Sequence, residues 1–323
     1  MKYFVTFFSL LFSLNAQELI NHFPLANTYS IVARDPKTGE IGVAVQSHWF
    51  SVGTVVSWAE AGVGAIATQS FVNVSFGPIG LKLLKEGKTA NEALQILLST
   101  DNAKDYRQVA IIDADGNVAA FSGKNCIPEA GHIVGKNFSV QANMMKSNEV
   151  WGMMEKAFQN TKGNLAEKMI AALEGAESVG GDIRGKQSAA LLVVKGKASD
   201  KPWEDRIVDI RIDDNPEPLK ELKRIYNVHL AYEHMNAGDL AVENNDMKLA
   251  LEEYSKAENM FPENDEMKFW HALTLANNNR FKEAVPVLKI IIEKNSNWRE
   301  LLFRLPRVKL IEVSEAELKK IFK

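Results

Sequence analysis

At Asp213-Asp214-Asn215-Pro216-Glu217-Pro218 the chain changes character. Before this polar, proline-rich join, short β-branched runs and helical patterns follow one another in blocks. After it, every segment carries helical periodicity. Such a change implies two domains of different class: an α+β domain over residues 28–213 and an α-helical domain over residues 219–323. A chain of 323 residues is long enough for both.

The first domain begins with strand signals. Thr28 to Arg34 reads as a strand, Asp35-Pro36-Lys37-Thr38-Gly39 as a turn, and Ile41 to Gln46 as the returning strand. Val52 to Trp58 and Val63 to Gln69 read as further strands. A helix starting at Ser75 or Pro78 runs to about Glu86, and Thr89-Ala90-Asn91-Glu92 is a capping box opening the next. Strands follow at 107–112, 117–121 and 138–143, then helices at 147–160 and 164–179, then strands at 188–194 and 205–212. This block order predicts antiparallel sheets with helices packed outside. No glycine-rich phosphate loop follows the first strand.

The N-terminus reads as a targeting segment. Lys2 precedes an apolar run from Tyr3 to Leu14, and Ala16 offers a small residue for cleavage. Residues 1–16 are therefore expected to be a signal peptide and residues 17–27 an exported leader, which places the protein in a periplasm or outside the cell. The run is too short to span a bilayer, which takes roughly 20 apolar residues. Cys126 is the single cysteine, so no internal disulfide forms and the fold must rest on its core. Cys126 itself reads as a small buried residue. A net charge of -3 leaves no basic excess for nucleic acid. Six scattered histidines show no metal-ligand spacing, and neither metal nor cofactor is expected.

Laid against itself at a 34-residue offset, the tail repeats. Gly238 falls on Ala272, Ala241 on Leu275, Ala250 on Ala284, Tyr254 on Leu288 and Ala257 on Ile291. Small residues where helices touch, with a large one four places on, resemble tetratricopeptide repeats, which stack helix pairs. The helices at 219–235 and 314–322 are expected to cap the stack, or the stack to lean on the first domain.

Three polar, glycine-containing strings stand out because core packing does not require them. They are Ala67 to Pro78, Gly131 to Asn143, and Gly180 to Ala190. Each carries amides or hydroxyls at a strand end, where sites often form. Gln69, Asn73, Gln141, Asn143 and Gln187 are candidate substrate-binding residues. Asp182 and Arg184 are close enough to pair, and an arginine can hold a carboxylate with two parallel bonds. His132 reads as structural.

Residues 28–213 resemble the bacterial family called domain of unknown function 1028. The resemblance rests on Ser30-Ile31-Val32-Ala33-Arg34-Asp35-Pro36 with Thr38-Gly39, on Gly42 to Val45, and on Ala61-Gly62-Val63-Gly64-Ala65 with Ala67-Thr68-Gln69. It continues through Tyr106-Arg107-Gln108-Val109, Phe138-Ser139-Val140-Gln141, and Gly180-Gly181-Asp182 with Arg184-Gly185 and Gln187 to Ala190. The resemblance implies the four-layer α-β-β-α sandwich of the N-terminal-nucleophile hydrolases and cleavage of amide or peptide bonds. It implies Thr28 as nucleophile with its own α-amine as base, and an oxyanion held by backbone N–H groups or an asparagine. Asp35, Ser47 and His48 would lie near Thr28 if the first two strands pair, and His48 would serve as base without a free amine. Here residues 17–27 precede Thr28, so a free amine requires a cut between Asn27 and Thr28. The repeats would then recruit a protein or cell-wall partner. The alternative is a non-catalytic module that binds a small ligand in the same pocket.

Overall fold

The computed structural model describes residues 25–322. The expected signal peptide and most of the expected leader lie outside the described residues. The chain forms two compact units, one running to Lys223 and one from Arg224.

In the first unit two antiparallel sheets face each other. One contains β1 (Leu25–Ala26), β4 (Ser57–Glu60), β5 (Gly64–Phe71), β6 (Arg107–Asp113) and β7 (Val118–Ser122). Its order is β1-β5-β6-β7, with β4 on the same edge of β5 as β1 but farther along. The other sheet runs β11-β10-β3-β2-β9-β8. Its strands are β2 (Thr28–Arg34), β3 (Ile41–Ser47), β8 (Gly131–Gly135), β9 (Phe138–Ala142), β10 (Ser188–Val194) and β11 (Arg206–Ile212).

Strand alternation explains the layering. Val32, Ile41, Val43 and Val45 meet Ala65, Ala67, Ala110 and Ile112 across the gap between the sheets. The small alanines on one side let the two sheets approach. The opposite faces of β5 and β6 present Ile66, Val109 and Ile111 to Phe76, Leu81, Leu94 and Leu97. Those four belong to α2 (Phe76–Lys85) and α3 (Ala90–Ser99), which cover that sheet. The second sheet is covered by α4 (Val150–Asn160) and α5 (Leu165–Glu177). The order is helix, sheet, sheet, helix. Each fully buried Val, Leu or Ile contributes roughly 1.5–3 kcal/mol over its exposed state, so these faces carry the unit. The capping box at Thr89 and Glu92 forms as expected, and Asn164 with Glu167 makes another at the start of α5.

Two expectations fail locally. Val52 to Trp58 is not one strand: Gly53–Val56 is a single helical turn, α1, and β4 starts only at Ser57. Ser51 takes φ of 52°, which turns the chain, and Ser188 Oγ accepts from Val52 N at 3.1 Å. In addition, β8 is absent from the expected strands, because Gly131-His132-Ile133-Val134-Gly135 has a glycine at each end and no clear alternation. It pairs with β9 through a two-residue turn in which Asn137 sits at φ of 64°, a left-handed position asparagine tolerates.

A buried ion pair anchors the start of β6. Arg107 Nε donates to Asp101 Oδ2 at 2.8 Å, with side-chain exposures of 0% and 8%. Burial raises the Asp101 pKa, but Arg107 and the Ala103 N–H more than offset it, so the carboxyl sits below its ordinary value. A depressed carboxyl contributes stability above the unfolded pKa, about 3.9, and that contribution is lost as pH falls through the lower folded value. Asp101→Asn should therefore lower stability by about 3 kcal/mol at pH 6, because it removes the carboxylate that neutralises the buried Arg107 guanidinium. It should also flatten the loss between pH 6 and pH 3. Urea unfolding at both pH values checks this, and an unchanged acid slope in the variant would refute the assignment.

The second unit is helical among its described residues. The helix α6 (Pro218–Glu243) starts within the first unit. It is followed by α7 (Met247–Met260), α8 (Asp265–Asn277), α9 (Phe281–Lys294), α10 (Asn297–Arg304) and α11 (Glu315–Ile321). The helices α7 and α9 have 14 residues each and start 34 residues apart. Ala250, Tyr254 and Ala257 in one are buried, as are Ala284, Leu288 and Ile291 in the other. The expected periodicity of buried positions is therefore present in the helices themselves.

Candidate functional site

The site grows from the end of the β2–β3 hairpin. In this hairpin Thr28 pairs with Ser47. Thr28, Ser30 and Val32 share the face that looks into the gap between the sheets, since Ser30 bonds Gln69 there and Val32 joins the inter-sheet core. Thr28, Ser47 and the preceding Asn27 have no solvent exposure.

The carbonyl oxygen of Asn27 has two donors. Ser47 Oγ donates to it at 2.5 Å and Arg184 Nη2 at 2.8 Å. Arg184 is aimed there by Asp182. Its Nε donates to Asp182 Oδ1 at 3.1 Å and its Nη2 to Oδ2 at 2.8 Å, a two-pronged bond. The carboxylate is fixed in turn by the N–H groups of Arg184 at 2.9 Å and His48 at 3.2 Å. The turn that brings the pair together needs left-handed backbone: Gly180, Gly181 and Gly185 take φ of 102°, 50° and 110°.

Among the described residues, the Thr28 hydroxyl has no hydrogen-bond partner although it is buried. Asn27 Oδ1 and Asn143 Oδ1 are buried and unpartnered as well. Buried polar atoms are nearly always paired, so this concentration around one peptide bond is unusual for a purely structural region.

Behind Thr28 lies a chain of buried amides and hydroxyls. Ser139 Oγ donates to Gln141 Oε1 at 2.9 Å, Gln141 Nε2 to Ser30 Oγ at 2.6 Å, and Ser30 Oγ to Gln69 Oε1 at 2.6 Å. Gln69 Nε2 donates to Gln108 Oε1 at 2.7 Å and to the Thr28 carbonyl at 3.3 Å. Asn143 Nδ2 also reaches Gln108 Oε1, at 2.9 Å, and its N–H reaches the Thr28 carbonyl at 3.0 Å. Gln108 Nε2 passes the chain to Ser122 Oγ at 2.7 Å, which contacts His132 Nδ1 at 2.9 Å. Burial lowers the His132 pKa, which favours the neutral ring. Such a network fixes the backbone of Thr28 from behind. Gln69→Leu should cost roughly 2–3 kcal/mol, because the buried Ser30 hydroxyl loses its acceptor and Gln108 Oε1 and the Thr28 carbonyl each lose a donor. Thermal unfolding reads this, and a loss under about 0.5 kcal/mol would mean the network is slack.

Of the residues singled out in the sequence, Thr28, Ser47, Gln69, Gln141, Asn143, Asp182 and Arg184 converge here. Others do not. Asp35 sits in the turn at the opposite end of β2, about 23 Å away for seven residues at roughly 3.3 Å each. There its Oδ1 accepts from Lys37 N and Thr38 N. Pairing of the two strands is what separates it from Thr28. Asn73 caps the turn before α2 through Ser75 and binds Asp101. Gln187 points to Asp214 at 3.2 Å. His48 is exposed, and its backbone N–H, not its ring, serves Asp182. Cys126 is buried, donates to the Arg107 carbonyl at 3.4 Å, and has its thiol pKa pushed up by burial, so it is no activated nucleophile.

Sequence reading missed Ser30, Gln108, Ser122 and Ser139 as members of the network, and the Asn27 carbonyl as its focus. The signal was parity: Thr28 and Ser30, like Ser139, Gln141 and Asn143, alternate with apolar residues on one strand face. Among the described residues no three metal-ligating side chains gather.

The family model described as "Family of unknown function (DUF1028)" matches residues 28–222. The chain belongs to this family. The DUF1028 match starts at Thr28 and takes in every converging residue except Asn27. A DUF1028 protein from Silicibacter pomeroyi has a crystal structure that aligns at 31% identity and a TM-score of 0.56. The alignment covers 62% of this chain and 88% of that one. No curated protein matches the chain.

Proposed function

We propose that the DUF1028 unit is an amide hydrolase of the N-terminal-nucleophile type, held as a precursor by the residues ahead of Thr28. The observation that carries this reading is the Asn27–Thr28 peptide bond. Its carbonyl oxygen is held by Ser47 Oγ and Arg184 Nη2, and the hydroxyl that follows it is buried with no partner among the described residues. Attack of Thr28 Oγ1 on the Asn27 carbonyl carbon closes a five-membered ring. Negative charge then develops on the oxygen that Ser47 and Arg184 already hold. The C–N bond breaks, the Thr28 nitrogen takes the hydroxyl proton, and an ester remains. Water hydrolyses the ester to the Asn27 carboxylate and regenerates the Thr28 hydroxyl. The freed amine then serves as base toward a separate amide, with the same two donors on its oxyanion.

The helix–sheet–sheet–helix layering supports the N-terminal-nucleophile sandwich. The 34-residue spacing of α7 and α9 supports tetratricopeptide-like repeats that recruit a protein or cell-wall partner. The apolar N-terminal run supports export. Residues 25–27 close the site as it stands, so turnover of a separate substrate requires their departure. That same closure favours a second reading, in which the chain stays uncut and the unit binds a small ligand.

An activated acyl ester separates the two. Incubated with the protein, it should leave an acyl group that tandem mass spectrometry maps to Thr28, and no adduct should form in Thr28→Ala. Adducts confined to surface lysines would favour the binding module.

A further inference from the structure

We infer that the substrate's acyl side is an extended peptide bound as an added strand, ending at the cut bond in a side chain of asparagine size. This inference rests on the hydrolase reading above and names the substrate class for the same site. Residues 25–27 already show how such a segment sits. Leu25 pairs with Phe71 and Ala26 with Ser70, so the segment lies antiparallel along the edge of β5. The next residue, Asn27, delivers its carbonyl to Ser47 and Arg184. Once the bond is cut and the segment leaves, Ser70 and Phe71 present an open strand edge that leads directly to the two donors. An unpaired edge beside a carbonyl site is what strand addition uses: the backbone supplies affinity and the side-chain pockets supply selectivity.

The side chain of the last residue is enclosed. Asn27 is fully buried, and its Nδ2 lies 3.5 Å from Met144 Sδ. Met144 is clamped between two loops. Its N–H donates to Ile127 O at 3.2 Å and its carbonyl accepts from Ile183 N at 3.2 Å. Its φ is 61°, a strained left-handed value for methionine, so the backbone that carries this side chain is held in place by its surroundings. A side chain ending at the carboxamide position fits, and an indole does not. A single amino acid amide would lack the two residues that pair with β5.

For hydrolysis the Thr28 hydroxyl attacks the carbonyl carbon of the substrate's last acyl residue. The C–N bond breaks, and the leaving amine departs with the proton carried by the Thr28 amine. Water then splits the ester, releasing the peptide acid.

The test uses the full protein as recovered after the cut and three anilides: acetyl-Leu-Ala-Asn, acetyl-Asn and acetyl-Leu-Ala-Trp. The expected order is acetyl-Leu-Ala-Asn first, with kcat/KM at least tenfold above acetyl-Asn and at least a hundredfold above acetyl-Leu-Ala-Trp. Equal cleavage of the short and long asparagine anilides, or ready cleavage of the Trp anilide, overturns the strand-addition inference and leaves the hydrolase standing. A protein that starts at Thr28 and cleaves none of the three counts against both. If the protein is recovered uncut, hydrogen exchange reads the same surface. Asn27→Trp should raise exchange across residues 25–27 and 70–71 at least tenfold, and unchanged protection would overturn the pocket assignment.

Discussion

A Thr28→Ala chain should fold, keep residue 27 joined to residue 28, and lose amide hydrolysis by at least about a thousandfold. The stability and activity effects part company for a physical reason. Among the described residues the Thr28 hydroxyl has no partner, so removing it strands no donor or acceptor there. The lost methyl leaves only a small void, costing about 1 kcal/mol. Chemistry, by contrast, loses its nucleophile. Thr28→Ser retains the hydroxyl and should retain the cut. Gel mobility of the precursor and release of an anilide dye check both halves. A Thr28→Ala protein that is cut at wild-type rate would remove Thr28 from the mechanism.

The second large effect concerns the two donors on the Asn27 carbonyl. Ser47→Ala should slow the cut and later turnover by roughly 10²–10³, the usual cost of one oxyanion donor. Its effect on stability should be small, since the hydroxyl serves only that carbonyl among the hydrogen bonds described. Arg184→Ala should slow the cut comparably and also destabilise the fold by about 3–5 kcal/mol, because it leaves the Asp182 carboxylate buried without its partner. Arg184→Lys keeps the charge but cannot reproduce the two-pronged bond to Asp182, so the cut should still slow. Precursor half-time and urea unfolding, measured on the same samples, separate the two costs. Rates within twofold of wild type in both Ser47→Ala and Arg184→Lys would mean the carbonyl contacts are structural only.

Much of this geometry was legible in the sequence, and the reasons differ by residue. The turn at Asp35 to Gly39 sets the β2–β3 register, which puts Ser47 opposite Thr28. The same register carries Asp35 to the far end, so one expectation of proximity held and another could not. The Asp182–Arg184 pair was readable because the two lie two positions apart in a tight glycine turn. Its target was not readable, because a backbone carbonyl 157 positions away in sequence leaves no side-chain signature. Gln108 and Ser30 escaped notice because each has a partner on the facing sheet, and the sequence alone does not set the two sheets against each other. In the tail, the 34-residue spacing was visible because packing repeats the same small residues.

The most direct test is the intact mass and N-terminal sequence of the mature protein purified from an exporting host. The account predicts a chain that begins at Thr28, and a longer chain retaining Asn27 when Ser47 or Thr28 is replaced by alanine. A mature wild-type chain that begins upstream and keeps the Asn27–Thr28 bond intact would contradict it.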